Sequence, residues 1–129
     1  MNNQLKKFKT KNISLWVAQV ILAAGFIFGS VMKLFVPKEI LNSMWPWTAE
    51  VPNLLVKITG VIDLLAVIGI IIPLTGSKQR LTSIVAIGII IEMICAGVFH
   101  IVRGEASEIG VNIFFAIIAG FVAWGRLSR

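Results

Sequence analysis

Cysteine and charge are what this 129-residue chain has least of. There is one cysteine, Cys95, inside an apolar run. A lone thiol excludes an intrachain disulfide and a CxxC pair, and with them thiol–disulfide chemistry within one chain. One histidine, no iron–sulfur cysteine set, no metal-ligand cluster and no nucleotide motif leave no built-in electron carrier. Only 14% of residues are charged against 57% apolar, and mean hydropathy is +0.92. A soluble domain of this size must cover itself with polar side chains, and this composition cannot do so.

What is present is a set of long apolar runs. A helix needs about 20 apolar residues to cross the hydrocarbon core, and four segments qualify: 13–36, 54–74, 81–102 and 109–127. Together they predict one all-α domain over residues 1–129, an integral membrane antiparallel four-helix bundle. The basic stretch Met1 to Asn12 precedes a run too long for a signal-peptide core and without a small-residue cleavage pattern, so the first span is expected to be retained. Pro73-Leu74-Thr75-Gly76-Ser77 is read as the stop of the second span and Arg103-Gly104-Glu105 as that of the third. The longer connection, 37–53, holds Trp45-Pro46-Trp47, and tryptophan favours the membrane interface. This loop is expected on the membrane surface, with Trp45 and Trp47 as anchors and a short helix from Lys38 to Met44.

The net charge of +6 does not point to nucleic acid, because its distribution is that of a topology signal. Lys6, Lys7, Lys9, Lys11, Lys78, Arg80, Arg126 and Arg129 fall on one side of the four spans, without acidic company. The other side mixes Lys38 and Arg103 with Glu39, Glu50, Glu105 and Glu108. The positive-inside rule then places both termini in the cytoplasm, with the basic rim against anionic lipid.

Ionisable residues inside spans are costly and usually face the protein interior. Asp63 lies about 13 Å and Glu92 about 16 Å along their helices, both near the midplane. With no basic residue expected at that level, at least one of the two is expected to carry a proton at neutral pH. Lys33, Lys57, His100, Arg103 and Asn112 form a second layer nearer the outer end. Glu92 and Arg103, eleven residues apart, share a helix face to within about 20°. Lys33, Asp63, Glu92, His100, Arg103 and Asn112 are therefore the candidate ligand-binding set, a cationic cup above a carboxyl layer. Structural alternatives stand beside it: snorkelling lysines, a structural hydrogen bond for His100, and interhelical glue for Asn112. Gly25-Phe26-Ile27-Phe28-Gly29 is a GxxxG stripe that, with Gly60, permits close helix packing inside the bundle or between subunits. The cytoplasmic half is expected to be plain apolar packing.

Gly29-Ser30-Val31-Met32-Lys33, the Pro52-to-Pro73 second span with Asp63, His100-Ile101-Val102-Arg103-Gly104-Glu105 and Val111-Asn112 together resemble the DoxX-like family of small four-helix bacterial membrane proteins, over essentially the whole chain. One departure is Asp63, where the family commonly has glutamate. The resemblance implies the bacterial inner membrane, and quinone or electron-transfer partners. Three readings of function stay open. One is a quinone- or lipid-binding accessory subunit, which would need a redox partner protein and is not a stand-alone enzyme. Another is a non-catalytic assembly or chaperone subunit. The last is a small proton-coupled transporter acting as an oligomer, of which a homodimer is the simplest.

Overall fold

The computed structural model describes residues 3–71 and 79–127. The stop expected at Pro73 to Ser77, and the topology charges Lys78 and Arg129, lie outside the described residues. Five helices and two short 3-10 turns make up what is described: α1 (Asn3–Phe35), α2 (Lys38–Met44), a turn at Pro46–Ala49, α3 (Asn53–Ile71), α4 (Gln79–Val102), a turn at Ala106–Ile109 and α5 (Gly110–Leu127). The four long helices are each long and apolar enough to cross a membrane.

Helix limits follow from proline and glycine chemistry. α1 stops at Phe35, just ahead of Pro37, whose ring disfavours the helical conformation in the residue before it. Pro37, Pro46 and Pro52 each stand at the head of the next turn or helix, where a missing N–H costs nothing. α4 ends in a Schellman motif. Gly104 takes a φ of +80°, its N–H bonds to the Ile101 carbonyl (3.0 Å), and the Glu105 N–H bonds to the His100 carbonyl (2.8 Å). That backward turn lays Glu105 over the end of α4. α1 begins ten residues before the apolar run expected from residue 13; at about 1.5 Å per residue its 33 residues outreach a bilayer core, and the surplus carries exposed Lys6, Lys7 and Lys9.

α1 packs closely on α3 and also on α5, and α4 closely on α5 and lightly on α3. Leu22, Phe26, Ile70, Ala86, Ile89, Ala119 and Val122 fill the centre. Large apolar side chains cover the outside, including Val102, Leu54 and Ile117. In water such a surface would be untenable; against lipid tails it costs nothing, so these faces suit lipid contact. A smaller cluster, Met32, Leu41 and Val56, seats α2 on α1 and α3.

The end of the molecule that carries the termini corrects an expectation. It is not plain apolar packing. Gln19, 1% exposed, donates from Nε2 to the Ile70 carbonyl (2.8 Å), an acceptor in the last turn of α3. Arg126 donates from Nε to Gln19 Oε1 (2.7 Å) and from Nη1 to Asn12 Oδ1 (2.9 Å), and its guanidinium stacks over Trp16. Arg126 is buried rather than a rim charge. Ser83 adds a bond to the Ala123 carbonyl (2.9 Å). Polar side chains there close helix ends that apolar packing would leave unsatisfied.

Candidate functional site

A shielded ion pair lies where α1 meets α3. Gly60 lets the two helices approach so closely that a Cβ on it would stand 3.0 Å from Lys33 Cβ and from Leu34 Cγ. A Cβ on Gly29 would stand 3.5 Å from Asp63 Oδ2. Between these glycines Lys33 Nζ bonds to Asp63 Oδ2 at 2.9 Å, with side chains 16% and 7% exposed. The expected separation into a carboxyl layer and a cation layer is therefore corrected: a basic residue does share the level of Asp63. The cause is side-chain direction. Helical side chains tilt toward their helix N-terminus. On α1 that tilt turns Lys33 inward, and on α3 it turns Asp63 back toward the loop, so the two meet. Glu92 of α4 completes the cluster, its carboxyl facing that of Asp63.

Lys57 is spent differently. Its Nζ donates to the Leu34 carbonyl (2.9 Å), an acceptor in the last turn of α1, so it caps that helix.

A second group closes the C-terminal end of α4, beside the 37–53 loop. Arg103 grips Glu105 with both arms of its fork, Nε to Oε1 at 2.9 Å and Nη2 to Oε2 at 3.2 Å, and its Nη1 pairs with Glu50 from the loop. His100 Nδ1 shares Glu105 Oε1 at 3.0 Å. The Glu105 carboxyl is held below its usual range chiefly by the hydrogen bonds from Arg103 and then by that from His100; Arg103 is pushed up in turn, first by its bond to Glu105. Glu50 and Glu105 were not among the candidates. The sequence Arg103-Gly104-Glu105 held a signal for the second, because a positive-φ glycine cap folds the following residue back on the helix end. Nothing local marks Glu50.

Between the two groups stands Trp47. Its ring receives Lys33 Nζ at 5.9 Å from the centroid and sits edge-to-face with Phe99 at 5.9 Å and with His100 at 6.5 Å. Trp45 pairs with Phe28 on the outer side of α1 (6.3 Å), a placement that suits an interface anchor. Trp47, half-buried like Trp45, turns its ring toward Lys33, Phe99 and His100 instead. The short helix expected from Lys38 to Met44 is present as α2.

Asn112 stands apart. It lines a groove of about 180 Å³ between α4 and α5, with Met93, Gly97, Ile101 and Ala116, and none of the other five candidates borders it. Of the glycines, Gly25 faces Phe115 of α5 and Gly29 faces Asp63, so the GxxxG stripe is used within the chain. Among the described residues no three acidic, histidine or cysteine side chains converge to hold a metal.

Comparison with curated proteins finds no match, and comparison with solved structures finds none. The family model described as DoxX-like matches residues 17–122, which span the Lys33–Asp63–Glu92 cluster, the tryptophan loop and the Arg103–Glu105 clasp. On that match, and with four helices able to cross a membrane, the chain belongs to the DoxX-like family of multi-pass membrane proteins.

Proposed function

We propose that this protein is an accessory subunit of a membrane redox complex that binds the head of a quinone, or of a lipid of similar polarity, in the loop half of the molecule. The proposed setting is the bacterial cytoplasmic membrane, in an antiparallel four-helix arrangement with both termini cytoplasmic. Its basis is the Lys33–Asp63–Glu92 cluster. Two carboxyls facing each other away from water are cheapest when they share one proton between them. With Lys33 positive, the one-proton state is neutral overall, the cheapest charge state inside a membrane. Such a pair can give a proton to a reduced head group, or take one from it, at the cost of a single charge. Trp47, Phe99 and His100 supply flat surfaces and a ring nitrogen beside it, and the apolar helix faces suit an isoprenoid tail. The cofactor proposed is thus a quinone supplied from the bilayer, and the electrons must come from a partner protein, because the chain has no carrier of its own.

Solvent extraction of the purified protein, followed by titration with decylubiquinone against tryptophan fluorescence, tests this. A co-extracted quinone and saturable quenching, weakened about tenfold (about 1.4 kcal/mol) by Glu92→Gln, are expected. Finding no extracted quinone and no saturable quenching would overturn the reading. One observation favours a second reading, a non-catalytic assembly subunit: Lys33 and Asp63 bond directly, and Trp47 occupies the space between Lys33 and His100. In that case Glu92→Gln alters stability or partner recovery and leaves quinone titrations flat.

A further inference from the structure

The four long helices do not close evenly. α1 with α3, and α4 with α5, are close pairs, whereas α3 and α4 touch lightly. Toward the termini that light seam is tight. There a Cβ on Gly69 would come within 2.5 Å of Val85 Cγ2, and the Gln19 bonds to Ile70 and Arg126 fasten the same end. Farther along α4, Gly88 is exposed, with nothing within 4 Å of where its Cβ would stand. Glu92 reaches across to Asp63. Beyond that, the space between Lys33 and the pair Phe99 and His100 is filled by Trp47, a loop residue.

The loop is seated firmly on one side and lightly on the other. Leu41 is buried against Met32 and Val56, and buried Thr48 braces the Trp47 turn through its hydroxyl on Asn42 (2.7 Å). Across the seam its polar tie is Glu50 to Arg103, with the Glu50 side chain 63% exposed. Exposed ion pairs hold weakly because water and salt compete for both charges. Arg103 keeps Glu105 when Glu50 leaves, so parting strands no cation.

We propose that the 37–53 loop is a gate on the α3–α4 seam, with Trp47 as its plug and the Glu50–Arg103 pair as its latch. The ligand class is that of the reading above, on which this regulation rests. When the latch parts, Trp47 leaves Phe99 and His100, and an amphipathic head group enters from the loop end to reach Lys33, Asp63 and Glu92. The hinge is the polar, glycine-tightened end near the termini.

Dicyclohexylcarbodiimide, an apolar reagent that couples to protonated carboxyls, reports access to the cluster without any quinone. The label on the Asp63 and Glu92 peptides is followed by mass spectrometry in the full-length detergent-solubilised protein. Relative to the parent, about fivefold faster labelling is expected for Arg103→Gln and about tenfold for Trp47→Ala, on the scale of one weak ion pair and one aromatic contact. A Cys95→Ala protein carrying Glu50→Cys and Arg103→Cys, bridged by a short bis-methanethiosulfonate, should label slowly and regain speed on reduction. Because bridged and reduced samples are the same folded protein, misfolding cannot mimic this result. Equal rates in those two samples overturn the gate, as does an unchanged rate in Trp47→Ala. Gated labelling without saturable decylubiquinone binding overturns the quinone reading and leaves the gate standing.

Discussion

Burying a cation and two carboxyls is a cost that one hydrogen-bonded arrangement must offset, and Lys33 is the residue on which this depends. Removing one member of a buried pair leaves the other charged and unpaired. Lys33→Met should therefore destabilise the protein by about 3–5 kcal/mol, whereas Lys33→Met combined with Asp63→Leu should recover most of that loss. Unfolding in mixed micelles checks it; equal losses in single and double variants would show that the pair is not what matters. Glu105 gives a pH prediction with a definite sign. Its carboxyl is held below the usual range in the folded protein, so its bonds to Arg103 and His100 contribute fully above that range and are lost as pH falls through the lowered value. The melting temperature of Glu105→Gln should lie below the parent's at pH 7 and converge with it toward pH 3. A gap that persists at pH 3 would assign the effect to something other than the carboxylate.

At the scale of helices, glycines fall into two classes. At Gly69 an added methyl meets the stiff, β-branched Val85, which has little freedom to turn away. At Gly88 the same methyl meets open space. Gly69→Ala should cost about 1–3 kcal/mol by forcing α3 from α4, while Gly88→Ala should be neutral or stabilise by up to about 1 kcal/mol through helix propensity. Thermal melts of the two variants side by side decide it; equal melts would mean the α3–α4 seam yields where the geometry says it is tight. Gly25 and Gly29 show why a GxxxG match alone says little about oligomers, since Phe115 and Asp63 occupy the two positions a neighbouring copy would need.

For the whole molecule, the contacts bring Asn12 and Gln19 beside Arg126 at one end and Glu50 beside Arg103 at the other. In a Cys95→Ala background, Ala49→Cys should react with a membrane-impermeant maleimide in intact spheroplasts, and Lys7→Cys only after lysis. The opposite pattern would invert the proposed orientation. Much of this architecture was legible in the chain: the four apolar runs, the proline-bounded loop and the α2 helix, while the ionisable residues Lys33, Asp63, Glu92, His100 and Arg103 stood out without any sign of which would pair. Less legible were the buried Gln19–Arg126–Asn12 contacts, because residues 107 or more apart in sequence carry no local sign that they will touch. Glu50 was hidden for the same reason.

The sequence by itself determined which four stretches are apolar enough to cross a membrane and where α1 and α4 stop, since hydropathy and the proline and glycine at those two helix ends act within a few residues. Only the tertiary structure decided which charges meet. Lys33 reaches Asp63 because Gly60 lets α3 come close to α1 and because helical side chains lean toward their own N-termini, in opposite directions on these two helices. Trp47 turns inward because α3 and α4 leave a gap that a flat ring fills, and no property of residue 47 alone foretells that gap.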